Sequence, residues 1–536
     1  MTDIQWLDAI YPSKEILPDQ TKDQSLLLFR LAYDAHVQSC VSFTQELLCL
    51  QALPSLKPYT HQQQAVHRVL FTLRGRALLA DEVGLGKTIE AGMILKEYLL
   101  RHIVKRALIL VPASLVLQWT RELHEKFEIE AHAMRNEVTI DTCDIVVASM
   151  DTVKKEPYRA LVLAKPYDLV IVDEAHKMKN NKTQLWQLIN QMQKKHLLLL
   201  TATPLQNDRK ELYHLFHLLR PGHLGDKREY LKAHQEGTST LKAIDTLMIR
   251  HRRKESDVIF TKRNIRTMTI ELSDKERYFY NEVTTFIREQ YEYRRQKKRS
   301  ILPLITLQRE ICSSTYAAMV TLETMMRDPT LTPTERFALR RLLQIAEQVT
   351  VYTKVDTVID LVQAINDKTI LFTEYKATQD FLYHCFTKAN IRSVLFRGGF
   401  KRGKKDWMKD LFEHQAQVLI ATQAAGEGIN LQFCNQVINF DLPWNPMRIE
   451  QRIGRVHRIG QEREVFIYNL STAGTIEEHI VSLLEDKIAL FERVIGELDV
   501  ILGPKAFERD VMEAYMQSMT NEELRARLTM LAKRVR

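Results

Sequence analysis

Three stretches of this sequence put phosphate-handling and metal-handling residue types where a buried strand would end. The first is Asp81-Glu82-Val83-Gly84-Leu85-Gly86-Lys87-Thr88, between the apolar run Ala77-Leu78-Leu79-Ala80 and a helical stretch over 88–100. Glycine lets the backbone curl so that successive N–H groups face one anion. The N-terminus of a following helix adds positive partial charge. Lys87 then suits the β- and γ-phosphates of a nucleotide, and the Thr88 hydroxyl suits Mg²⁺. Asp81 stands where the general phosphate-loop pattern has its first glycine. The second stretch is Asp173-Glu174-Ala175-His176, after the apolar run Leu169-Val170-Ile171-Val172. Adjacent acids at a strand end need a cation or a proton. Asp173 can hold Mg²⁺ through its water shell, and Glu174 can polarise an attacking water. The third, Thr201-Ala202-Thr203-Pro204, closes another apolar run with two hydroxyls, which suits a segment that senses hydrolysis.

The second half of the chain carries arginines where the first carries carboxylates. Gln451-Arg452-Ile453-Gly454-Arg455-Val456-His457-Arg458-Ile459-Gly460-Gln461 spaces Arg455 and Arg458 three apart. On a helix both lie on one face. Two guanidinium forks there could stabilise charge on a transferring phosphoryl group. A solvated amphipathic helix would place bases at the same spacing.

The elements that must position these groups are legible as a change of texture. Apolar runs at 77–80, 107–111, 144–148, 169–172 and 197–200 alternate with helical stretches, and the alternation resumes at 369–373, 394–396, 418–421, 437–440 and 465–468. Short Val/Ile/Leu runs separated by helices predict parallel sheets covered on both faces. The expected class is therefore α/β, with two parallel-sheet lobes, a helical insert between them and a C-terminal helical segment. The expected division is an N-terminal helical segment (1–57), a first lobe (58–272), a helical insert (273–350), a second lobe (351–474) and a C-terminal helical brace (475–536).

Composition narrows the classes. The chain has 536 residues, 45% hydrophobic and 27% charged, with 17 Gly and 15 Pro. These values exclude a largely disordered or collagen-like chain. The longest apolar candidate, 107–119, is shorter than the ~20 residues that span a bilayer and is broken by Pro112 and Ser114. No signal peptide is read at the start. The six cysteines form no C-x-x-C pair, so a reduced cytoplasm is expected. Net charge is +9, and residues 250–300 hold 15 Lys/Arg against 8 Asp/Glu, which favours a polyanionic partner or makes a solvated helical face.

The order of these motifs, together with Gly426-Glu427-Gly428-Ile429-Asn430-Leu431 and Trp444-Asn445-Pro446, resembles a Swi/Snf-type ATPase of the superfamily-two helicases. Asp81 is what that family carries at its place. The lobes are then RecA-like. The segment around Asp81 and the tail from Thr475 resemble the bacterial RapA branch, the RNA-polymerase-associated translocases, although about 57 residues precede the core where RapA has N-terminal barrel domains. The resemblance implies ATP and Mg²⁺ as cofactors. Gln62 would read adenine, Asp81, Gly84, Gly86, Lys87 and Thr88 would bind phosphate and metal, and Asp173 and Glu174 would serve metal and water. Gly428 and Gln451 would approach the nucleotide from the second lobe, with Arg455 and Arg458 as arginine fingers. Gln118, Trp119, Ser149, Thr203, Asn207, Thr422 and Trp444 fall in segments that touch the nucleic-acid backbone. The implied activity is ATP-driven movement along double-stranded DNA without strand separation, remodelling bound protein. A strand-separating DNA or RNA helicase, an RNA-polymerase recycling factor and an idle DNA-binding scaffold are the alternatives. The expected location is the cytoplasm, at the nucleoid.

Overall fold

The computed structural model describes residues 46–178, 180–201, 209–227, 230, 246–253, 256–296, 300–400, 402–422, 430–443 and 446–478, with isolated positions near both ends. Residues 1–54 form a unit of their own, whose described part includes a short helix, Leu48–Ala52. Most of the expected N-terminal segment and C-terminal brace lies outside the described residues.

Residues 55–536 carry two wholly parallel sheets. The first holds β1 (Arg76–Leu79), β2 (Ala107–Val111), β3 (His132–Ala133), β4 (Ile145–Ser149), β5 (Tyr167–Val172), β6 (Lys194–Leu200) and β7 (Met248–Ile249), in the order β3-β4-β2-β5-β6-β1-β7. The second holds β8 (Arg263–Ile270), β9 (Thr369–Thr373), β10 (Ser393–Phe396), β11 (Val418–Thr422), β12 (Gln436–Asn439) and β13 (Val465–Thr472), in the order β10-β11-β9-β12-β13-β8. Every residue of β2, β9 and β11 is buried, as helices on both faces require. The ten strands expected from apolar runs are all present. The three without such a run, β3, β7 and β8, lie at sheet edges, where one side needs no apolar partner.

One boundary differs from expectation. Strand β8 falls inside the stretch assigned to the first lobe, yet it pairs along its whole length with β13 of the second sheet. The chain thus crosses between sheets at residues 250–262. Arg263-Asn264-Ile265-Arg266-Thr267 is polar and half-exposed, so no hydrophobic run marks it as a strand.

Between β8 and β9 lies the helical insert. Helices Asp274–Gln296, Leu302–Ser313, Thr315–Met326 and Pro333–Glu347 share a core that includes Phe279, Ile287, Leu307, Leu322 and Leu339. The insert is fastened to the second lobe near the motif that matters. Glu374, at the end of β9, pairs with Arg309 of the insert and lies 3.7 Å from Arg448 and Arg452. Arg452 also donates to the Asp441 carbonyl at 2.7 Å. These contacts fix the helix Pro446–Ile453, which leads into the arginine-rich turn.

Candidate nucleotide site

The phosphate loop runs from the end of β1 into the helix Lys87–Leu100. Gly84 and Gly86 adopt φ of 90° and 94°, conformations that L side chains disfavour. The Lys87 ammonium lies 2.5 Å from the Asp81 carbonyl and 3.3 Å from that of Glu82. Burial lowers its pKa, against the raising influence of Asp81, Glu90, Glu174 and Asp173. Gln62 braces the loop, donating to the Leu85 carbonyl at 2.9 Å and accepting from the Tyr59 amide at 3.0 Å. It also lines the cleft, as an adenine-reading residue must.

Asp81 does not face the cleft. Fully buried beneath the loop, it accepts from the His251 amide at 2.8 Å and lies 3.0 Å from that imidazole. Burial alone would raise its pKa, but hydrogen bonds with His251 and Glu90, then the charges of His251 and Lys87, outweigh it and hold it below the usual value. Burial and the neighbouring Asp81 hold Glu90 well above the carboxylate range. The expected nucleotide contact is therefore corrected to a support: Asp81 holds the loop from below.

Asp173 and Glu174 follow β5. The Trp119 indole donates to Asp173 at 3.0 Å, and the Glu174 amide donates to it at 2.8 Å. Burial, then the Glu174 charge, push the Asp173 pKa up to about 6. Burial pushes Glu174 upward too, but the His176 hydrogen bond, with the charges of His176, Arg455 and Lys177, outweighs it and brings the pKa to about 2. His176 lies 3.2 Å from Glu174 and 3.5 Å from the Thr201 hydroxyl, so it links the acid to the end of β6. One carboxyl is thus reluctant to ionise alone, and its neighbour is firmly anionic.

Both lobes close the cleft, whose volume of about 490 Å³ is in the range of small-molecule sites. Lobe one supplies Gln62, Gly84, Gly86, Lys87, Thr88, Asp173 and Glu174, and lobe two supplies Asn430, Gln432, Gln451, Arg455, Arg458 and Ile459. The arginines reach it by a different route from the expected helix face. The helix ends at Ile453, and 454–460 form successive turns. Arg455 Nε donates to the Gln451 carbonyl at 3.1 Å and Arg458 Nε to that of Gly454 at 2.6 Å, leaving both forks on the cleft wall. Burial, then the Arg455 charge, lower the Arg458 pKa to about 10, so it remains cationic near neutrality.

Gln118 and Trp119, expected as nucleic-acid contacts, line this cleft instead. Trp119 is buried with its one donor on Asp173, and Gln118 donates to Glu122 at 2.8 Å. Ser149 closes β4 and caps the next helix through the Asp151 amide at 3.2 Å. Thr422 closes β11 and is buried. Thr203, Asn207, Gly428 and Trp444 lie outside the described residues. His251, Arg253, Arg263 and His457 support the site, and neither their types nor their spacing marks them for it. Three of them sit in the basic stretch read as a polyanion surface, and charge alone does not reveal that Arg253 and Arg263 both point at His457.

A family model for the SNF2-related domain matches residues 61–317, and one for the helicase conserved C-terminal domain matches 353–460. The chain is 48% identical over 488 residues to the ATP-dependent helicase YqhH of Bacillus subtilis (strain 168), covering 89% of this chain and 87% of that protein. The chain belongs to the SNF2-related family. This SNF2 protein is a nucleic-acid-dependent ATPase with the helicase-like two-lobed fold. It is 28% identical to the RNA polymerase-associated protein RapA of Histophilus somni (strain 129Pt), covering 87% of this chain but 53% of RapA, so it spans about half of that relative. A solved helicase domain of Pyrococcus furiosus Hef matches it with a TM-score of 0.51 at 16% identity, covering 80% of this chain and 98% of that one, a likeness of fold. Among the described residues, no helix is long and apolar enough to cross a membrane.

Proposed function

We propose that this SNF2-family ATPase uses Mg²⁺-ATP to move along double-stranded DNA and to displace or remodel protein bound there, without separating the strands. The observation that carries the reading is the shared cleft. Its phosphate loop and acids belong to lobe one and its arginines to lobe two, so occupancy by nucleotide governs whether the lobes close. Alternating closure is what a stepping motor needs.

The chain's own residues suggest the division of labour. Lys87 and the loop amides bind the β- and γ-phosphates, and Gln62 meets the base. Thr88 and Asp173 fit a divalent cation, because Asp173 is oriented by two donors yet held near pKa 6 until opposite charge arrives. That cation supplies neutralisation of the phosphate charge. Glu174, held near pKa 2, is too weak a base to take a proton early. It orients the attacking water by accepting its hydrogen bond, and a loose phosphoryl-transfer transition state needs no more than that. Arg455 and Arg458 stabilise the charge that spreads over the γ-phosphoryl oxygens.

Similarity to an ATP-dependent helicase favours a second reading, a strand-separating helicase, and similarity to the RNA polymerase-associated protein RapA favours association with RNA polymerase. Three assays separate these. Under the proposed function, duplex DNA stimulates hydrolysis more than single strands or RNA, ATP drives displacement of a triplex-forming third strand, and a forked duplex stays paired. Efficient fork unwinding would replace it with the helicase reading. Co-purification with RNA polymerase from native cells would identify the remodelled complex.

A further inference from the structure

The crossing between sheets, residues 250–262, carries Arg253, and this side chain makes contacts that a passive tether would not. On the lobe-one side its amide donates to Glu82 at 2.8 Å, and its guanidinium gives two N–H groups to the Val83 carbonyl, from Nε at 3.1 Å and Nη2 at 2.5 Å. Val83 immediately precedes the first loop glycine. On the lobe-two side Nη1 reaches His457 Nδ1 at 2.8 Å, and Nη2 reaches the His457 carbonyl at 3.2 Å. Phe260 lies under the guanidinium at 4.6 Å and against the His457 ring at 5.4 Å.

The tautomer of His457 follows from its partners. Its Nε2 faces the Thr261 carbonyl at 2.8 Å, and a carbonyl can only accept, so Nε2 carries the proton. Nδ1 is then an acceptor, aimed at Arg253 and at Arg263 Nε, 2.9 Å away. Arg263, on β8 of the second sheet, is anchored by both Glu450 oxygens at 3.0 Å. His457 therefore travels with lobe two, while Arg253 travels with the phosphate loop. Its position in the chain, between Arg455 and Arg458, ties it to the arginine turn.

We infer that Arg253 is a positioning residue for ATP hydrolysis: it registers lobe closure by tying the Val83 carbonyl to His457, which sets the arginine turn against the phosphate loop. The inference rests on Arg455 and Arg458 acting across the cleft. Only the planar fork can reach both sides at once. A lysine ammonium at 253 offers one point of charge and satisfies one side at a time.

The test uses the full chain with duplex DNA and two dyes, one on exposed Glu130 in lobe one and one on exposed Glu413 in lobe two, introduced through non-natural amino acids. Arg253→Gln should lower kcat about tenfold or more, as loss of a charge-assisted bond does, while ATP still binds. The ATP-driven rise in energy transfer should vanish, and Arg253→Lys should not restore it. His457→Leu should behave alike, whereas His457→Asn, which keeps an acceptor near Nδ1, should stay within about threefold of the parent. Combining Arg253→Gln with His457→Leu should cost little beyond the worse single change. Additive losses, closure that persists in Arg253→Gln, or an effect confined to KM would each overturn the inference. If either variant fails to fold by thermal melting, the other reads the same contact. If Arg455→Ala and Arg458→Ala hydrolyse ATP like the parent, the finger reading fails, and the energy-transfer signal still decides whether Arg253 registers closure.

Discussion

The tight packing of Gly454 against Val83 gives a sharp test of cross-lobe catalysis. A β-carbon added to Gly454 would lie 2.2 Å from Val83 Cγ1. Carbon atoms pack at about 3.5–4.0 Å, so Gly454→Ala must push the arginine turn away from the phosphate loop by about 1.3 Å or more. Gly454 has no left-handed φ, so its conformation suits alanine; the new carbon would also lie 3.1 Å from the Glu450 carbonyl, a far smaller overlap than that with Val83. A misplacement of about 1 Å in a catalytic constellation can cost about 10²-fold. Gly454→Ala should therefore lower kcat by about that factor, with ATP binding to lobe one preserved and thermal stability nearly unchanged. The rescue is specific. Val83 Cβ would lie 3.4 Å from the new carbon, an ordinary contact, so Val83→Ala removes the obstructing methyl and should restore most of the rate in the double variant. The assay is steady-state ATP hydrolysis at saturating duplex DNA. A Gly454→Ala enzyme within about threefold of the parent, or a double variant as slow as the single one, would refute closure as the route by which Arg455 and Arg458 act.

Three further outcomes concern the same site and a fourth the basic stretch. Glu174→Gln should abolish turnover while nucleotide still binds, because charge and water orientation are lost but the loop is intact; normal hydrolysis would remove Glu174 from the mechanism. Arg455→Ala or Arg458→Ala should lower kcat by a large factor, up to the roughly 10³–10⁵ of arginine fingers elsewhere, and a loss under about threefold in both would refute the role. Because the raised Asp173 carboxyl titrates at about 6 and must lose its proton to hold Mg²⁺, apparent Mg²⁺ affinity should fall about tenfold from pH 7 to pH 5; calorimetry showing a flat profile would contradict this. Replacing Arg295, Lys297, Lys298 and Arg299 by Gln should flatten the salt dependence of duplex binding by about 0.9 per lost phosphate contact, whereas Arg294, buried with its Nη1 on the Ser300 carbonyl at 3.2 Å, should be spared because it is structural.

The two lobes were readable because a strand buried on both faces must be apolar throughout, and β2, β9 and β11 announce themselves in that way. The candidate site was readable because phosphate and metal demand particular groups at strand ends, so Lys87, Thr88, Asp173 and Glu174 stand out by type and spacing, and the fold brings them to one cleft. Edge elements left no such mark. Strand β8 is half polar, and its pairing with β13 depends on a partner about 200 residues away.

Orientation and partnership were decided only by the folded molecule. The residue types of Asp81 and Trp119 suit several roles. Packing turned Asp81 down onto His251 and Trp119 inward onto Asp173. The stretch 250–263 reads as one basic surface, yet the fold turns both Arg253 and Arg263 onto Nδ1 of His457, Arg263 from within lobe two and Arg253 from the crossing beside the phosphate loop. The physical reason is range. Apolar periodicity and motif spacing are local properties of a chain. The direction of a polar side chain is set by donors and acceptors brought to within 3 Å from distant segments. The sequence therefore determines which chemical groups are available to this protein, and the packing of one lobe against the other determines which of them meet in the cleft.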